Sequence, residues 1–269
     1  MGALNHAGGR PCLFVTGGAQ GIGFATAQFF ADKGWFVGLA DINGPGLDRA
    51  RAALGAANAV TVPLDVRDRA QWGAALTRFA DATGGRVDVL LNNAGLLSYG
   101  FFDDLTDEEI DRIVDVNLRG TLNGARAGLP YLKRSRGCLV NVASCAALYG
   151  SPKYAVYAAT KAGVRALSEA LDIEFARFGV RVRCILPWTL ETAILDSAST
   201  SSATTIRDDI RATGQAVYPV EDAARVIWRA IHEDGLHYIV GAQGEELATL
   251  VRLAFDDVRR DTRAYWTKA

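Results

Sequence analysis

The chain has 269 residues, a net charge of −1 at neutral pH and 22% charged residues. This composition is that of an ordinary globular protein, and the near-zero charge predicts no long-range attraction to nucleic acid or to an anionic membrane. Its apolar runs are far shorter than the ~20 residues of a membrane span. The opening "MGALNHAGGR" lacks the basic-then-apolar pattern of a signal peptide.

Histidine and cysteine spacing gives no sign of a metal site. The three histidines are scattered, and no two of the four cysteines have the CxxC spacing of zinc or dithiol sites. Most of the cysteines lie in apolar runs, where a free thiol behaves as a small hydrophobe. We therefore predict reduced thiols in a cytoplasmic protein without bound metal. The cysteines are Cys12, Cys138, Cys145 and Cys184.

Short apolar runs alternate with longer segments of helical periodicity along the chain. Several runs lack in-out alternation, as expected for strands buried on both faces. We predict strands over 12–17, 35–41, 59–66, 87–95, 138–144, 180–187 and 237–241, and helices over 22–33, 46–54, 69–81, 107–133 and 157–178. This alternation predicts an α/β fold: a doubly wound parallel sheet of about seven strands with helices on both faces.

No break in composition marks a second domain, so we predict a single domain over 1–269. The low-complexity stretch "SASTSSATT", 197–205, has no apolar periodicity, and we interpret 189–217 as a mobile substrate loop. The segment from 242 to 269 is predicted to be a helical extension, because 245–266 has an amphipathic pattern.

A glycine-rich turn joins the first strand to the first helix. In "TGGAQGIG", 16–23, the glycines Gly17, Gly21 and Gly23 allow a tight turn and close approach of the backbone to a pyrophosphate, which the helix N-terminus would bind. The stretch lacks the Gly-Lys-Ser/Thr ending of a nucleoside-triphosphate loop. Such a turn also occurs without any ligand, so this motif alone leaves both interpretations open.

Two carboxylates follow the next strands. Asp41 ends the second strand, 18 residues after Gly23. A carboxylate there accepts both hydroxyls of an adenosine ribose and repels a 2′-phosphate, which favours NAD over NADP. Asp65 lies at the end of the third predicted strand and is a candidate for the adenine edge. For both residues the alternative is a turn or cap carboxylate.

The stretch "YAVYAATKAG", 154–163, contains a candidate proton-transfer pair. Tyr157 and Lys161 are four residues apart, on one face of the predicted helix, whereas Tyr154 has Ala158 at the same offset. A nearby positive charge, together with an oxidised nicotinamide ring, would lower the pKa of Tyr157 from about 10. The phenol would then serve as general base or general acid. The alternative is a surface Tyr–Lys pair.

Two further polar residues belong to this hypothesis. Ser144 ends the fifth strand, where its hydroxyl would bind a substrate oxygen, although serines at strand ends are usually caps or turns. Asn117 lies inside a predicted helix, in "DVNLRG", although asparagine is a poor helix-interior residue. Its presence indicates a local distortion or a bound water, or simply an exposed polar position.

Together these motifs make residues 11–241 resemble the short-chain dehydrogenase/reductase family. They are Thr16-Gly17-x-x-x-Gly21-x-Gly23, Asn92-Asn93-Ala94-Gly95, Asn117, Ser144 and Tyr157-x-x-x-Lys161. The resemblance implies a Rossmann fold, a nicotinamide cofactor, oxidation of an alcohol or reduction of a carbonyl, and a homodimer or homotetramer. It also implies catalytic roles for Asn117, Ser144, Tyr157 and Lys161, with Asn117 holding a water that leads to Lys161.

The same resemblance implies most of the cofactor contacts. Asn93 would brace the sheet, and Leu190 and Thr192 would contact the nicotinamide carboxamide. Trp188 departs from the family, which usually has glycine after Pro187. We therefore expect either a substrate pocket of different shape from that of the family or a tilted loop in which the Leu190 contact differs. The full candidate set is Gly17, Gln20, Gly21, Ile22, Gly23, Asp41, Ile42, Asp65, Val66, Asn93, Ala94, Gly95, Tyr157, Lys161, Pro187, Leu190 and Thr192.

The substrate is predicted to be a hydrophobic secondary alcohol or ketone, aromatic or steroid-like. The candidate substrate contacts are Ser144, Cys145, Tyr157 and Trp188, with further pocket candidates at Leu97, Tyr99, Ala146, Tyr154 and Ile194. One alternative is a 3-oxoacyl thioester reductase, against which Asp41 argues if that reaction uses NADPH. Others are a non-catalytic dinucleotide sensor and a methyltransferase, neither of which needs the Tyr–Lys pair.

Overall fold

The computed structural model describes residues 9–197, 200–201 and 204–266. Within them, seven strands form one parallel sheet in the order 3-2-1-4-5-6-7. The strands are β1 (Cys12–Thr16), β2 (Phe36–Asp41), β3 (Ala59–Pro63), β4 (Val89–Asn92), β5 (Cys138–Val142), β6 (Arg181–Pro187) and β7 (His237–Val240). The predicted α/β class and the seven-stranded parallel sheet are confirmed, with strands one to five residues shorter than the apolar runs.

Helices lie on both faces of this sheet and at its carboxyl edge. They are α1 (Gly21–Asp32), α2 (Gly44–Leu54), α3 (Arg69–Ala82), α4 (Asp107–Ile113), α5 (Gly120–Ser135), α6 (Ala155–Ala176), α7 (Ile206–Thr213), α8 (Val220–His232) and α9 (Ala242–Trp266). Helix α9 contains a non-helical residue, Ala254, that divides it in two. The last part of the predicted C-terminal extension, 267–269, lies outside the described residues.

Alternate residues of each central strand enter different cores. On β1, Leu13 and Val15 pack in the core beneath α1, α2 and α8, whereas Cys12 and Phe14 pack in the core beneath α3, α5 and α6. All four are fully buried. Burial on both faces is the physical reason why these strands read as continuous apolar runs.

The order of the strands reverses beside β1. This strand pairs with β2 on one side and with β4 on the other. The chain therefore leaves a crevice above the carboxyl ends of β1 and β4, which is where doubly wound folds bind their ligands.

Two predicted segments differ from the structure. The predicted helix over 107–133 is interrupted by a π-helical turn, Val114–Arg119, between α4 and α5. The predicted loop over 189–217 contains a 3₁₀ turn, Ala193–Asp196, and helix α7. That helix begins with a capping box between Thr205 and Asp208, which compensates for its short length. Part of the low-complexity stretch, 198–199 and 202–203, lies outside the described residues.

Candidate active site

A cleft of about 710 Å³ opens above the carboxyl ends of the strands, a volume typical of ligand sites. Its wall is formed on one side by segments that follow β1, β2 and β3, which we call the nucleotide end. On the other side it is formed by segments that follow β5 and β6 and by α7 and α9, which we call the loop end.

The glycine-rich turn forms the floor of the nucleotide end. Gly17 and Gly21 have φ angles of +66° and +56°, a backbone conformation that favours glycine. Helix α1 begins there with no side-chain cap from Gln20 and no acidic residue in its first turn. Its free N–H groups and positive dipole end therefore remain available to an anion such as a pyrophosphate.

Gly23 has a different role from the other two glycines, because it does not line the cleft. A Cβ at this position would lie 2.2 Å from the Gly17 carbonyl oxygen and 2.7 Å from Asn93 Nδ2. Gly23 therefore lets α1 pack directly against the turn and β4. It supports the cofactor site from behind rather than contacting the cleft.

Asp41 joins the end of β2 to the glycine-rich turn. The backbone N–H of Ala19 donates to its Oδ2 (3.1 Å), and that of Asn43 donates to its Oδ1 (3.0 Å). This is the turn-stabilising role expected of such a carboxylate, but the side chain also lines the cleft. Each oxygen accepts one backbone hydrogen bond and keeps capacity for a ribose hydroxyl. Ile42 beside it is 74% exposed, and its side chain forms part of the rim.

Asp65 is less free than Asp41. The guanidinium of Arg67 donates to both of its carboxylate oxygens, at 2.6 to 3.0 Å, and hydrogen bonding from Arg67 holds the Asp65 pKa below its usual value. Asp65 and Val66 line the cleft as predicted. The carboxylate of Asp65 must therefore share its oxygens between Arg67 and any adenine.

Asn93 braces the sheet where the strand order reverses. Its Nδ2 donates to the Thr16 carbonyl (2.9 Å), while the backbone N–H groups of Asn93 and Ala94 both donate to Thr16 Oγ1 (3.0 Å). These bonds tie the ends of β1 and β4 together and turn Ala94 and Gly95 toward the cleft. The bracing role that the resemblance implied is present in the structure.

The candidate proton-transfer residues meet at the centre of the cleft. Tyr157 and Lys161 lie on α6, and the Lys161 Nζ is 5.7 Å from the centroid of the Tyr157 ring. The buried ammonium donates to the Val142 carbonyl at the end of β5 (2.9 Å). Ser144 lies just after β5, and its Oγ accepts a hydrogen bond from the Ala146 N–H (3.1 Å). Tyr157, Lys161 and Ser144 all line the cleft.

Asn117 lies behind this group, in the π-helical turn. Its Nδ2 donates to the Leu96 carbonyl (2.9 Å) and to Thr160 Oγ1 (3.2 Å), and its Oδ1 accepts from the Leu96 N–H (2.8 Å). The predicted distortion of the helix is therefore real, and π-bulges often mark functional sites. A Cβ on Gly95 would lie 3.3 Å from Asn117 Oδ1 and 3.4 Å from Lys161 Nζ, so glycine lets both groups approach. The water relay through Asn117 stays a prediction.

Burial shifts the pKa values of both helix residues away from the charged form. It raises the pKa of Tyr157, against a smaller lowering by the Ser144 hydroxyl. It lowers the pKa of Lys161 to about 8. In the protein alone, burial therefore outweighs whatever the lysine charge contributes, and the pKa of Tyr157 lies above its usual value, opposite to the predicted lowering. The remaining part depends on the charge of the nicotinamide ring and stays a prediction.

Trp188 belongs to the wall at the loop end. Its backbone N–H donates to the Val240 carbonyl (2.9 Å), so the chain after β6 keeps a strand-like path despite the missing glycine. The side chain packs on the apolar cluster that contains Cys145, and among the described residues its buried Nε1 has no hydrogen-bond partner. Leu190 and Thr192 line the cleft as well. Trp188 therefore forms part of the cleft wall together with Leu190 and Thr192.

The sequence prediction missed several residues at the loop end. Helix α7 contributes Ile206 and Ile210, helix α9 contributes Leu247, and Tyr149 lines the same wall. The i, i+4 spacing of the two isoleucines after the Thr205–Asp208 capping box was a signal for this helix. Tyr99 was predicted to line the pocket but lies outside the cleft wall, and its hydroxyl donates to Asp209 Oδ2 (2.7 Å).

Other kinds of site find no support in the described part of the chain. There, no group of three or more His, Cys, Asp or Glu side chains is arranged to bind a metal ion. No described helix combines the length and apolar character that crossing a bilayer demands.

Comparisons with known proteins agree with this geometry. The sequence profile of the family described as short chain dehydrogenase matches residues 11–203. A 3-alpha-(or 20-beta)-hydroxysteroid dehydrogenase from Mycobacterium tuberculosis is 35% identical over 262 residues, covering 94% of this chain and 95% of the relative. A short-chain dehydrogenase/reductase from Burkholderia phymatum in complex with NAD has a TM-score of 0.82 at 25% identity, covering 94% and 95% of the two chains.

A further solved structure bears on the alternatives. It is a 3-ketoacyl-(acyl-carrier-protein) reductase from Brucella melitensis complexed with NADH, with a TM-score of 0.77 and 30% identity, covering 86% of this chain and 96% of that one. That reductase is complexed with NADH, so the expectation that a 3-oxoacyl thioester reductase uses NADPH, on which Asp41 argued against this alternative, does not hold for that protein.

Proposed function

The chain belongs to the short-chain dehydrogenase/reductase family, and from this premise we propose that it is an NAD(H)-dependent oxidoreductase that interconverts a secondary alcohol and a ketone. One observation carries the proposal. One cleft joins an uncapped helix N-terminus and the carboxylate of Asp41 at the end of β2 to the group formed by Ser144, Tyr157 and Lys161. A cofactor that brings a pyrophosphate, a ribose and a reactive ring fits this succession.

The residues of the nucleotide end would hold the adenosine half of the dinucleotide. The N–H groups at the start of α1 would bind its pyrophosphate, and the Asp41 carboxylate would accept hydrogen bonds from the adenosine ribose hydroxyls and repel a 2′-phosphate. From the segment after β6, Leu190 and Thr192 would bind the carboxamide group, and Lys161 at the centre of the cleft would donate to the nicotinamide ribose. The nicotinamide ring, when bound, would supply hydride transfer, a chemistry that no side chain offers.

The residues at the centre of the cleft move the proton. Ser144 donates its hydroxyl hydrogen to the substrate oxygen and stabilises the charge that develops there. Tyr157 gives its proton to that oxygen in ketone reduction and removes it in alcohol oxidation. Lys161 in its charged form favours the phenolate of Tyr157, and Asn117 fixes the turn beside it.

The loop end supports a hydrophobic ring substrate. The wall there is largely apolar or aromatic, with Tyr149, Tyr154, Trp188, Ile206 and Ile210. A 3-oxoacyl thioester reductase is the second candidate, favoured by the likeness to the Brucella melitensis reductase. The homodimeric or homotetrameric assembly and the cytoplasmic location stay predictions.

A panel of substrates tests the proposal. Cyclic secondary alcohols, hydroxysteroids, the matching ketones and an acetoacetyl thioester are each incubated with NAD(H) or NADP(H), and the absorbance of reduced nicotinamide is followed. We expect turnover of ring alcohols or ketones with a preference for NAD(H). Turnover restricted to the thioester would establish the second candidate, and no turnover with any member would contradict the proposed function.

The Tyr157→Phe variant tests the mechanism. It keeps the ring and removes the hydroxyl, so turnover should fall by about 10²–10⁴-fold while NADH binding, followed by fluorescence, stays within about twofold. Tyr131→Phe is the control, because Tyr131 lies on α5 outside the cleft wall and its hydroxyl interacts with Thr77. If Tyr157→Phe turned over substrate as fast as the control, the proposed role of Tyr157 would be contradicted.

A further inference from the structure

Asp209, on α7, receives hydrogen bonds from three separate segments of the chain. Lys153 Nζ and the Tyr99 hydroxyl donate to its Oδ2, at 2.9 and 2.7 Å, and Thr204 Oγ1 donates to its Oδ1 at 3.1 Å. Lys153 is only 10% exposed as a side chain. A charge pair with this degree of burial and three bonds to one carboxylate is stronger than an ordinary surface ion pair.

Backbone hydrogen bonds also connect the segments that contain Tyr99 and Lys153, the two residues that donate to Asp209 Oδ2. The Gly100 N–H donates to the Lys153 carbonyl (3.1 Å), and the Thr200 N–H donates to the Tyr99 carbonyl (2.9 Å). Lys153 has a φ of +66°, a conformation that a non-glycine residue keeps only when its surroundings hold it. The carboxylate thus lies where the segments after β4, before α6 and at α7 meet.

Helix α7 depends on contacts of this kind for its position. It has eight residues, and helices shorter than about 12 residues are marginal on their own. Its inner side chains Ile206 and Ile210 are buried against Tyr99 and Leu195 and also line the cleft. The helix therefore forms a roof over the loop end of the cleft, with Asp209 as its charged attachment.

The Tyr99 ring, whose hydroxyl donates to Asp209, belongs to a row of rings that ends at Tyr157. The ring of Tyr99 lies 4.9 Å from that of Tyr154, and the ring of Tyr154 lies 6.4 Å from that of Tyr157. Because Asp209 fixes the Tyr99 hydroxyl, it also fixes one end of this row of rings. Burial raises the pKa of Asp209, but the bonds from Lys153, Tyr99 and Thr204 outweigh it, and the pKa lies below its usual value. The carboxylate is therefore charged at neutral pH.

We propose that Asp209 is a positioning residue that attaches the α7 roof through Lys153 and Tyr99 and thereby selects large hydrophobic ring substrates over small ones. This inference rests on the proposed function. A large ring system extends from Tyr157 to Ile206 and Ile210, so it gains binding energy from the roof. A small alcohol that occupies only the centre of the cleft does not reach the roof and is indifferent to it.

The variants Asp209→Asn and Asp208→Asn test the proposal as a matched pair. Asp208 is the neighbouring carboxylate of the same helix, and its bonds go to Thr205 instead of Lys153 or Tyr99. An asparagine there keeps an acceptor for Thr205. Cyclopentanol and a 3α-hydroxysteroid serve as the small and the large probe, and Asp209→Glu, which keeps the charge, serves as the conservative rescue.

In Asp209→Asn we expect the KM of the steroid to rise about tenfold, as for the loss of one charged hydrogen-bonded pair. Its kcat should change less than about twofold, and the KM of cyclopentanol should remain as in the wild type. Asp208→Asn should leave both KM values within about twofold, and Asp209→Glu should recover most of the loss. Equal effects on the two probes, or equal effects of the two asparagine variants, would overturn the proposal.

Hydrogen exchange supplies a readout that does not depend on turnover. Amides of α7, 206–213, should exchange about tenfold faster in Asp209→Asn than in Asp208→Asn, because the roof opens more often. Unchanged exchange would overturn the attachment even in an active enzyme. If instead exchange rises as expected but the wild type turns over neither probe, the selectivity is overturned together with the proposed function, and the attachment alone is supported.

Discussion

The nucleotide end of the cleft takes its groups from strand ends and from the turns that follow directly, whereas the loop end takes them from loops and a short helix. Asp41 reaches Ala19 across neighbouring strands, and Asn93 reaches Thr16 in the same way. At the loop end, Asp209 on α7 binds Lys153 and Tyr99, neither of which lies in a strand or in the turn directly after one. One end is therefore a property of the sheet, and the other a property of loop packing, so mutations at the two ends should affect different steps.

Of the variants that test this difference between the two ends, Gly23→Ala is expected to have the largest effect. The new methyl group would meet the Gly17 carbonyl oxygen and Asn93 Nδ2, so α1 must move away from the turn. We expect the Kd of NADH to rise at least about 100-fold, or the free energy of unfolding to fall by about 3 kcal/mol or more. Fluorescence titration and urea denaturation measure the two quantities.

Gly73→Ala is the matched control for this prediction. Gly73 lies within α3, and a Cβ there meets no atom within 4 Å. The free energy of unfolding of the Gly73→Ala control should rise by about 0.5–1 kcal/mol, because alanine is the better helix former. Identical NADH binding in the two variants would show that the turn tolerates a displaced α1.

The Asp41→Ala variant changes the nucleotide end more selectively. Loss of hydrogen bonds to a charged acceptor should reduce the preference for NAD over NADP by about 10–100-fold. The ratio of kcat/KM values for the two cofactors measures it, at one saturating substrate concentration. Asp48→Ala, an exposed carboxylate on α2, is the control. A preference that stays the same would mean that another residue discriminates at the ribose.

The centre of the cleft, between the two ends, should respond to pH. Burial raises the pKa of Tyr157 and lowers that of Lys161 to about 8. Below pH 8 the tyrosine is therefore neutral and the lysine charged, which is the state that ketone reduction needs. We expect kcat/KM for reduction to fall about tenfold per pH unit above about 8. The kcat/KM for alcohol oxidation should rise up to about pH 8 and then level off, because the growing phenolate fraction of Tyr157 is offset by the loss of the Lys161 charge.

A pH profile of both directions checks this prediction in the free enzyme. Lys161→Arg keeps a charge at all accessible pH values, so its falling limb for reduction should move to higher pH even if its rates are lower. A reduction profile that remains level to pH 9.5 would mean that the charge of Lys161 does not limit the reaction.

The smallest effect is expected at the loop end, from Trp188→Gly. Removing part of the apolar wall should raise the KM of a steroid ketone by about fivefold, the equivalent of ~1 kcal/mol of lost apolar contact. The Kd of NADH should stay within about twofold. Trp188→Phe should retain the KM, because the indole N–H has no partner within the described residues. A larger change in the Kd of NADH than in the KM of the steroid ketone would show that the two ends of the cleft do not act independently.

The residues that sequence patterns predicted well share one property: their spacing is set by a single element. Tyr157 and Lys161 face the same way because they are four residues apart on α6, and Asp41 reaches the crevice because it ends a strand. The π-helical turn was only indicated by the unusual position of Asn117. Helix α7 was interpreted as loop because the polar stretch before it concealed the spacing of Ile206 and Ile210.

The sequence by itself determined the parallel sheet, the position of the crevice and most of the groups at its nucleotide end and its centre. Periodicity and turn residues act over a few positions, so they can be read from the chain directly. Only the tertiary structure decided that Asp209 meets Lys153 and Tyr99, that Gly23 lies behind the cleft, and that Tyr157 has a raised pKa. Each of these depends on burial or on contacts between distant segments, and no local pattern encodes either.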